Sequence, residues 1–387
     1  MLAAGGINDP AFLEDPFSFY EMGRPMSPLF MANTGLWMAF NHDECTEILR
    51  DNASWPSAFV APDTYPPPPP PSMLGSDPPR HTRLRALVSQ AFTPRMVEQL
   101  EPRIRQVAAE LLDPVLGRGE CDLVDVLTYP LPVIVIAEIL GVEPEKRDRF
   151  KEWSDEVVAT LGNGAGDVRQ EVFEEMREYF ARLTEERRAN PRADLISGLV
   201  QAEMEGEKLS FDELLQMLVL LLVAGNETTT NLIGNAMLAF MAHPDQLARV
   251  EADLSLVPSA LEEVLRFSSP VQATARRAAR DIEFRGKQIA KGQQVVVWLG
   301  AANRDPKVFP DPLTFDVTRT PNRHLAFGMG IHFCLGAPLA RLEARVAVEE
   351  LLKRAKGFRR TTEGPLPRVP TFIMRGVTSL PIAFEAR

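Results

Sequence analysis

The spacing of apolar residues changes twice along the chain. The first sixty residues are mixed and predict a strand at Gly35–Phe40 and a helix at Asp43–Asp51. Between about residues 80 and 267, apolar positions recur three and four apart, the spacing that places them on one face of a helix. Past Phe267, short apolar runs alternate with turn residues, as strands do. The pattern therefore predicts a helix-rich centre with β-containing parts at about 1–57 and 270–325.

Several short elements are predicted after Phe267. A segment rich in Pro, Asp and Asn, at Asn303–Arg323, is expected to meander without regular structure. The last helix is predicted at Pro338–Arg354, where apolar residues recur at four-three-four spacing. The predicted strands are Asp281–Phe284, Lys287–Ile289 and Gln293–Leu299.

One helix is predicted to be unusually long. Ser210 and Glu213 have the spacing of a capping box, in which each side chain accepts a hydrogen bond from the other residue's backbone N–H. The helical pattern continues to His243-Pro244, where proline ends it. About 32 residues at roughly 1.5 Å each give a rod of roughly 48 Å. Because its middle is apolar on every side, the helix is expected to be buried.

Nothing in the chain has the composition of an interdomain linker, so a single domain over residues 1–387 is predicted. The proline run Pro66–Pro71 excludes a helix or a central strand and favours an extended polyproline II conformation. It comes shortly before a helical pattern and is interpreted as a stiff surface loop. The fold class predicted from the pattern is mainly α with small β-sheets.

Composition and charge exclude several classes of protein. With 42 Lys and Arg against 53 Asp and Glu, the net charge of −11 argues against nucleic acid or an anionic membrane surface as the main partner. The three cysteines lie far apart without a CxxC pair, so neither a disulfide framework nor a cysteine-rich zinc site is expected. No signal sequence is visible, and no apolar run approaches the roughly 18 residues of a membrane span. We therefore expect a soluble cytoplasmic protein.

The clearest candidate chemistry lies in FGMGIHFCLG, at Phe327–Gly336. Its glycines allow tight turns and a close approach to a flat group. Cys334 stands just before a predicted helix, where the helix dipole and free N–H groups favour a thiolate. A thiolate with N–H donors suits an axial ligand of haem iron. A cysteine among apolar residues is more often a small core residue, but the glycines and His332 weigh against that interpretation.

This segment resembles the haem-binding loop of the cytochrome P450 family at every defining position, and three further family motifs occur in the expected order over nearly the whole chain. The likeness is greatest to soluble bacterial members. It implies a single triangular-prism-like haem-thiolate monooxygenase fold, with haem b as cofactor and Cys334 as the iron ligand. Matching positions imply that Phe327, Gly328 and Ala224 also contact the cofactor.

Donors for the two haem propionates are also expected. His81 and Arg85 are four residues apart and share one helix face. Buried carboxylates require cationic donors. By resemblance, His81, Arg85, Arg276 and His332 hold the propionates, although a slip of one residue would exchange Arg276 with Arg277. The other three histidines are interpreted as structural.

A further motif lies in the middle of the long helix, at Ala224–Thr229. A carboxylate and hydroxyls inside an apolar rod cost several kcal/mol unless they are partnered or face a wet cavity. In the family, the residues that match Glu227 and Thr228 deliver protons through ordered water while dioxygen is activated, a form of general acid catalysis. The resemblance therefore implies Thr228 and Glu227 as catalytic residues. Polar side chains satisfied within the helix are the alternative.

Glu263 and Arg266 form another family motif, a carboxylate and a guanidinium at i, i+3. Alone, such pairs are common solvated contacts worth a few tenths of a kcal/mol. The resemblance implies instead a buried structural pair that, with Arg319, locks the meander Asn303–Arg323.

Substrate contacts are implied by resemblance as well. The Phe59–Leu74 stretch matches an entrance segment that is helical in many relatives, and here six prolines replace any helix. The other candidates are mostly apolar, which favours an apolar small molecule held by few polar groups, although the same residue types also form ordinary cores. These candidates are Val219, Val223, Val271, Gln272, Phe372 and Ile373.

The predicted reaction inserts one oxygen atom of O2, by hydroxylation or epoxidation, into a substrate of secondary metabolism or catabolism. No GxGxxG motif follows a predicted strand and no cysteine cluster is present, so electrons are expected from an external ferredoxin and ferredoxin reductase. A monomer is the default expectation. Basic residues considered for ferredoxin docking are Arg83, Arg103, Arg105 and Arg345.

Two alternatives remain open. A haem-thiolate enzyme that uses peroxide, or that rearranges an already oxidised substrate, often lacks the acid–alcohol pair that is intact here. A haem carrier or sensor would keep Cys334 as ligand but would not need Glu227 and Thr228.

Overall fold

The computed structural model of the chain describes residues 9–58, 72–146, 149–150, 152–153, 156, 170–202 and 208–387. The proline run Pro66–Pro71 and most of the Phe59–Leu74 stretch lie outside these residues. The α-helices are, in chain order, α1 (Pro10–Glu14), α2 (Phe17–Gly23), α3 (His42–Arg50), α4 (Arg80–Ala91), α5 (Pro94–Gln99), α6 (Glu101–Leu116), α7 (Pro130–Leu140), α8 (Gln170–Ala189), α9 (Leu195–Gln201), α10 (Phe211–Ala242), α11 (Pro244–Ala252), α12 (Val257–Phe267), α13 (Leu299–Ala302) and α14 (Ala337–Arg354). The strands are β1 (Leu29–Met31), β2 (Leu36–Ala39), β3 (Glu120–Asp122), β4 (Ala273–Arg277), β5 (Ile282–Phe284), β6 (Lys287–Ile289), β7 (Gln294–Trp298), β8 (Ala355–Arg360) and β9 (Pro381–Ala386).

The elements predicted from apolar spacing are confirmed, with ends shifted by one or two residues. The strand at Gly35–Phe40 is β2, the helix at Asp43–Asp51 is α3, and the three predicted strands past Phe267 are β5, β6 and β7. The meander contains no helix or strand between Asn303 and Arg323. The prediction of a mainly α fold with small β-sheets is confirmed.

The capping box of α10 is formed as predicted. The Ser210 N–H donates to Glu213 Oε2 at 3.0 Å, and the Glu213 N–H donates to Ser210 Oγ at 3.2 Å. The helix ends at Ala242, before His243-Pro244. Its 18-residue window of mean hydropathy 1.2 is apolar enough to cross a membrane, but 59% of that window is buried inside the protein. A core helix passes the same test, so α10 alone is weak evidence for a membrane span.

Strands β3, β8 and β9 lie outside the predicted β-containing parts. They form one sheet in the order β3-β9-β8, with both pairings antiparallel. The Leu123 N–H donates to the Leu380 carbonyl at 2.9 Å, just beyond the end of β3. Because β3 has three residues and pairs some 260 positions away, no local pattern marks it.

Two compact units make up the chain. The first comprises Met1–Pro56, Pro102–Leu131 and Thr228–Arg387, and the second comprises Ser57–Glu101 and Pro132–Glu227. The division falls within α10, between Glu227 and Thr228. The expectation of a single domain over residues 1–387 stays a prediction.

In the first unit, the largest sheet has the order β1-β2-β7-β4. Strand β7 runs parallel to β2 and antiparallel to β4. Because successive side chains in a strand point to opposite faces, Val295 and Val297 join one apolar cluster and Val296 and Trp298 another. A central strand buried on both faces therefore reads as a continuous apolar run. This sheet supports the segments that lead to the cysteine loop.

The second unit is helical in its described part. Helix α9 packs closely on α4, since a Cβ on Gly198 would lie 3.1 Å from the Ala91 Cβ. The Arg187 side chain is 1% exposed, donates to the Gly141 carbonyl at 3.1 Å and pairs with Asp194. These contacts join the end of α7, the end of α8 and the start of α9.

Candidate active site

The cysteine loop turns sharply before it enters α14. Gly328 and Gly330 have positive φ angles of 71° and 72°, and residues Gly330–His332 form one short 3-10 turn. The Cys334 N–H donates to the Phe327 carbonyl at 2.9 Å, which closes the loop. The thiol is half-buried, two residues before the N-cap Gly336 of α14. It therefore lies at the end of the helix where the dipole favours negative charge.

Gly330 is required by both conformation and space. Its φ lies in the left-handed region that side chains rarely adopt, and a Cβ there would lie 2.4 Å from the Leu49 carbonyl oxygen. The loop therefore passes directly against the end of α3. This contact fixes the middle of the loop, four residues before the thiol.

A charged cluster lies under Phe327, and the sequence analysis missed it. The Arg341 guanidinium stacks over the Phe327 ring at 4.4 Å and donates to Glu262 at 2.7 and 2.9 Å. His324 contacts the same carboxylate at 3.1 Å. Burial raises the pKa of Glu262, but hydrogen bonds from Arg341 and His324 outweigh it and lower that pKa to about 2. The Glu262 hydrogen bonds raise the pKa of Arg341, with a smaller contribution from Cys334.

The Glu263–Arg266 pair is buried, as the resemblance implied. Both side chains are 0% exposed and are joined by hydrogen bonds of 2.7 and 2.8 Å. Arg319 donates to Glu263 at 3.1 Å. Arg266 also donates to the carbonyls of Pro312 and Thr314, within the meander. The pair therefore anchors the meander, and its role is structural.

His81 and Arg85 lie in the first two turns of α4, in the second unit. The His81 ring is 3% exposed, and Arg85 is half-buried. Burial, and to a smaller extent the charge of Arg85, lower the pKa of His81. The turn before α4 is held by Asp77, which accepts the backbone N–H groups of Ser57 and Ala58 at 3.0 and 2.8 Å. The two side chains are thus close to each other on one helix, as predicted.

Arg276 and Arg277 are neighbours in strand β4, so their side chains point to opposite faces of the sheet. Arg276 is buried and donates to the Ala275 carbonyl at 2.8 Å. Arg277 points to the opposite face and donates to the Gly292 carbonyl at 3.0 Å. Arg276 therefore remains the candidate for a propionate. His332 is half-buried within the cysteine loop.

Glu227 and Thr228 are consecutive and half-buried on α10, whereas Thr229 and Thr230 are buried. Ala224, one turn earlier, is exposed although much of the helix around it is buried. A Cβ on Gly225 would meet Ile136 at an ordinary 3.7 Å, so packing does not require glycine there. The structure places Glu227 in the second unit and Thr228 in the first.

Gln272 has a core position that the sequence did not indicate. It is 2% exposed, its Oε1 accepts from Tyr20 Oη at 2.7 Å, and its Nε2 donates to the Ser269 carbonyl at 2.5 Å. A Cβ on Gly300 would lie 2.2 Å from its Oε1. The amide of Gln272 is therefore committed to the core, and its contact with substrate stays a prediction.

The other substrate candidates differ in exposure. Val271 is half-buried and bridges to Met374, and the Phe372 ring packs 5.7 Å from that of Trp298. Ile373 is 37% exposed. Within the second unit, Val219 is half-buried, and Val223 lies on α10 with a side chain outside the described ones.

The residues present fit haem b. Cys334 offers a single soft donor at a helix N-terminus, as one axial ligand of haem iron requires. Arg276 and His81 are buried donors of the kind that propionates need. The loop backbone at Gly328 carries no side chain, which allows a flat ring to approach closely.

Comparison with known proteins points to one family. A family model described as Cytochrome P450 matches residues 11–374. Cytochrome P450 CYP107DY1 of Priestia megaterium is 45% identical over 407 residues, covering 98% of this chain and 98% of that protein. The 6-deoxyerythronolide B hydroxylase of Saccharopolyspora erythraea is 38% identical over 377 residues, covering 93% of each.

Solved structures agree with the sequence comparison. The crystal structure of CYP109E1 from Bacillus megaterium in complex with testosterone is similar, with a TM-score of 0.87 and 39% identity. The match covers 95% of this chain and 99% of that one. The shared fold therefore extends over nearly the full length.

Proposed function

The chain belongs to the cytochrome P450 family, and we propose that it inserts one oxygen atom of O2 into an apolar small molecule with electrons from an external ferredoxin. Membership makes it a monooxygenase, an oxidoreductase that uses haem b. One of its bacterial relatives is named a hydroxylase of 6-deoxyerythronolide B. The observation that carries the proposal is the half-buried Cys334 on its glycine-turned loop at the start of α14.

Cys334 is proposed as the iron ligand, in its thiolate form. When bound, haem supplies the activation of O2 and the transfer of oxygen. The N-terminus of α14 stabilises negative charge on the sulfur, and the backbone bond from Cys334 to Phe327 holds its direction. His81, Arg85, Arg276 and His332 are proposed to bind the propionates, and Phe327, Gly328 and Ala224 to contact the ring.

Thr228 and Glu227 are proposed to move protons. The Thr228 hydroxyl can accept and donate one hydrogen bond at the same time, which suits it to hold an ordered water. The Glu227 carboxylate can exchange its proton with solvent. Both side chains are half-buried, so neither is sealed from water nor fully solvated.

The apolar residues among the candidate substrate contacts support an apolar substrate. Val219, Val271, Phe372 and Ile373 offer only aliphatic or aromatic surface, which binds by excluding water. The structure of the similar CYP109E1 holds testosterone, a molecule of that kind.

The ferredoxin part of the proposal needs a basic surface near Cys334. The four arginines considered from the sequence are each paired with a carboxylate: Arg83 with Glu213, Arg103 with Glu110, Arg105 with Glu349 and Glu350, and Arg345 with Glu349. Arg50 is exposed, and its Cα would lie 3.2 Å from a Cβ on Gly330. We therefore replace those four by Arg50, which lies against Gly330 on the same loop that exposes the Phe333 ring. Similarity to bacterial cytochromes P450 supports a cytoplasmic location, and a monomer is proposed.

The experiment that tests the proposal is the absorbance difference spectrum of the reduced protein with and without carbon monoxide. The wild-type protein should give the strongly red-shifted Soret band of thiolate-bound haem, and Cys334→Ser should lose it. Cys121→Ser is the matched control, because it removes another half-buried thiol from strand β3. An unshifted band from folded, haem-supplied wild type, or a red-shifted band that survives in Cys334→Ser, would contradict the assignment.

A further inference from the structure

Asn303 lies at a junction of three segments of the first unit. Its side chain is 0% exposed and follows α13, at the start of the meander. The Nδ2 group donates to Ser269 Oγ at 2.8 Å, and Oδ1 accepts the Leu325 N–H at 2.6 Å. Its backbone carbonyl accepts from Arg266 at 3.1 Å. Every polar group of Asn303 that the core encloses is therefore committed.

The orientation of this amide is settled by its partners. The Leu325 backbone N–H can only donate, so it must face the amide oxygen. Ser269 Oγ gives its own proton to the Leu265 carbonyl at 2.6 Å, so it must accept from Nδ2. A flipped amide would set donor against donor at Leu325.

The hydrogen bond between Asn303 Oδ1 and the Leu325 N–H connects Asn303 to the cysteine loop. The Leu325 carbonyl accepts the Gly328 N–H at 2.8 Å, which forms the first turn of the loop. Phe327, within that turn, accepts the Cys334 N–H at 2.9 Å. Leu325 is itself 0% exposed within the apolar cluster under the sheet. Asn303 thus fixes the start of the loop, and Gly330 against α3 fixes its middle.

The hydrogen bond between Asn303 Nδ2 and Ser269 Oγ connects Asn303 to the candidate substrate contacts. The Ser269 carbonyl accepts from Gln272 Nε2, and the Gln272 N–H donates to the Ile373 carbonyl at 2.7 Å. Val271 lies between these two residues and bridges to Met374. Direct hydrogen bonds and short stretches of backbone therefore connect Ile373, through Asn303, to Cys334.

We propose that Asn303 is a positioning residue for the cysteine ligand. Its side chain holds the start of the cysteine loop and the segment Ser269–Gln272 in a fixed position relative to each other. The inference rests on the proposed role of Cys334. Losing the amide leaves the Leu325 N–H buried without an acceptor, so the loop gains alternative conformations. Cys334 would then be held less firmly in the position from which it ligates the iron, and the segment Ser269–Gln272 would lose its hydrogen bond to the residue that anchors the loop.

The test compares variants in the haem-loaded protein. Asn303→Leu keeps the volume and removes both hydrogen bonds, whereas Asn303→Asp keeps an acceptor for the Leu325 N–H. Asn235→Leu is the matched control, because Asn235 is likewise buried, at 2% exposed, and donates to the Ser268 and Arg375 carbonyls at 3.0 Å. The readouts are the ratio of unshifted to red-shifted Soret band in the reduced carbon monoxide complex and hydrogen–deuterium exchange of peptides that span residues 325–334.

Asn303→Leu should raise that ratio about tenfold, the effect of one buried hydrogen bond, and should speed exchange in the loop. Asn303→Asp keeps the bond to the Leu325 N–H, so both readouts should change less than in Asn303→Leu, while its buried carboxylate, which faces the acceptor Ser269 Oγ, should lower the melting temperature. Asn235→Leu should lower the melting temperature without changing either readout. If Asn303→Leu does not fold, Ser269→Ala removes the acceptor of Nδ2 together with the bond from Ser269 Oγ to the Leu265 carbonyl, and serves the same comparison.

Two results would overturn the inference. One is a wild-type ratio and wild-type exchange in Asn303→Leu or, failing that variant, in Ser269→Ala. The other is an equal effect of Asn235→Leu, which would reduce the role of Asn303 to general stability. A wild-type protein without the red-shifted band would end the proposed function instead, and loop exchange would still decide whether Asn303 anchors Leu325.

Discussion

At the scale of single residues, backbone conformation limits which substitutions the cysteine loop tolerates. Gly330→Ala should lower stability by about 1–3 kcal/mol from its positive φ alone, and more from overlap with the Leu49 carbonyl. We expect a lower melting temperature and a smaller red-shifted Soret band. Gly336→Ala is the control, because its φ is −80° and a Cβ there meets nothing within 4 Å. Equal melting temperatures for the two variants would refute the steric argument.

Thr228→Ala tests the proton path at the same scale. The variant should keep the red-shifted band, since it leaves the iron ligand untouched, but should divert electrons to hydrogen peroxide because a hydroxyl that holds water is gone. The measurement is peroxide formed per NADPH consumed with a surrogate ferredoxin system. Thr229→Ala, which removes the neighbouring buried hydroxyl, should stay coupled. Unchanged coupling in Thr228→Ala would remove Thr228 from the proton path.

At the residue level the signals in the sequence are local: the buried Glu263–Arg266 pair is present as expected, whereas the role of Cys334 stays a prediction. Cys334, its glycines and the Glu263–Arg266 spacing are each contained in a short stretch of chain. The core hydrogen bonds of Gln272 could not be predicted, because its partner Tyr20 is 252 positions away. Asn303 was missed for the same reason, since Ser269 and Leu325 lie 34 and 22 positions from it.

At the scale of elements, the contact between α12 and α14 has a pH dependence. The folded pKa of Glu262 is about 2, below its ordinary 4.5, so its stabilising contribution is present above pH 4.5 and is lost as the pH falls towards 2. Glu262→Gln should therefore cost about 1–2 kcal/mol at pH 7 and about half of that at pH 3. Thermal melts of both proteins between pH 7 and pH 3 measure the difference.

Glu363→Gln is the control for that series, because Glu363 is exposed and its substitution should leave the acid dependence unchanged. A stability difference between wild type and Glu262→Gln that stays constant from pH 7 to pH 3 would rule out the role given to this carboxylate.

Whether an element could be predicted depended on how far apart in sequence its stabilising contacts lie. The ends of α10 were predictable because capping residues and a proline mark them within a few positions. The β3-β9-β8 sheet was not, since its strands gain their hydrogen bonds only when distant parts of the chain meet. The choice between Arg276 and Arg277 likewise needed the register of β4 with β7.

At the scale of the whole molecule, a net charge of −11 opposes an acidic electron donor unless a local positive charge attracts it. Arg50→Glu should raise the KM for ferredoxin several-fold at low salt, with kcat at saturating ferredoxin unchanged and the difference shrinking as salt screens the charge. The measurement is steady-state NADPH oxidation over a series of ferredoxin concentrations. Arg118→Glu makes the same charge change at another exposed position and is the control. An equal rise in the KM for ferredoxin in both variants would contradict the proposal that Arg50 binds ferredoxin.

We expect recombination between related genes to preserve the fold best when its crossover points fall at the ends of the second unit. Its segments, Ser57–Glu101 and Pro132–Glu227, carry Val219 and Glu227, whereas Cys334 and Asn303 belong to the first unit. Exchanging both segments together with a relative 45% identical keeps the contacts within each unit between residues of one parent. Chimeric libraries built on this division would vary the second unit, which carries the proposed substrate contact Val219. Every chimera would keep the cysteine loop together with Asn303 and Gly330, which hold it in place.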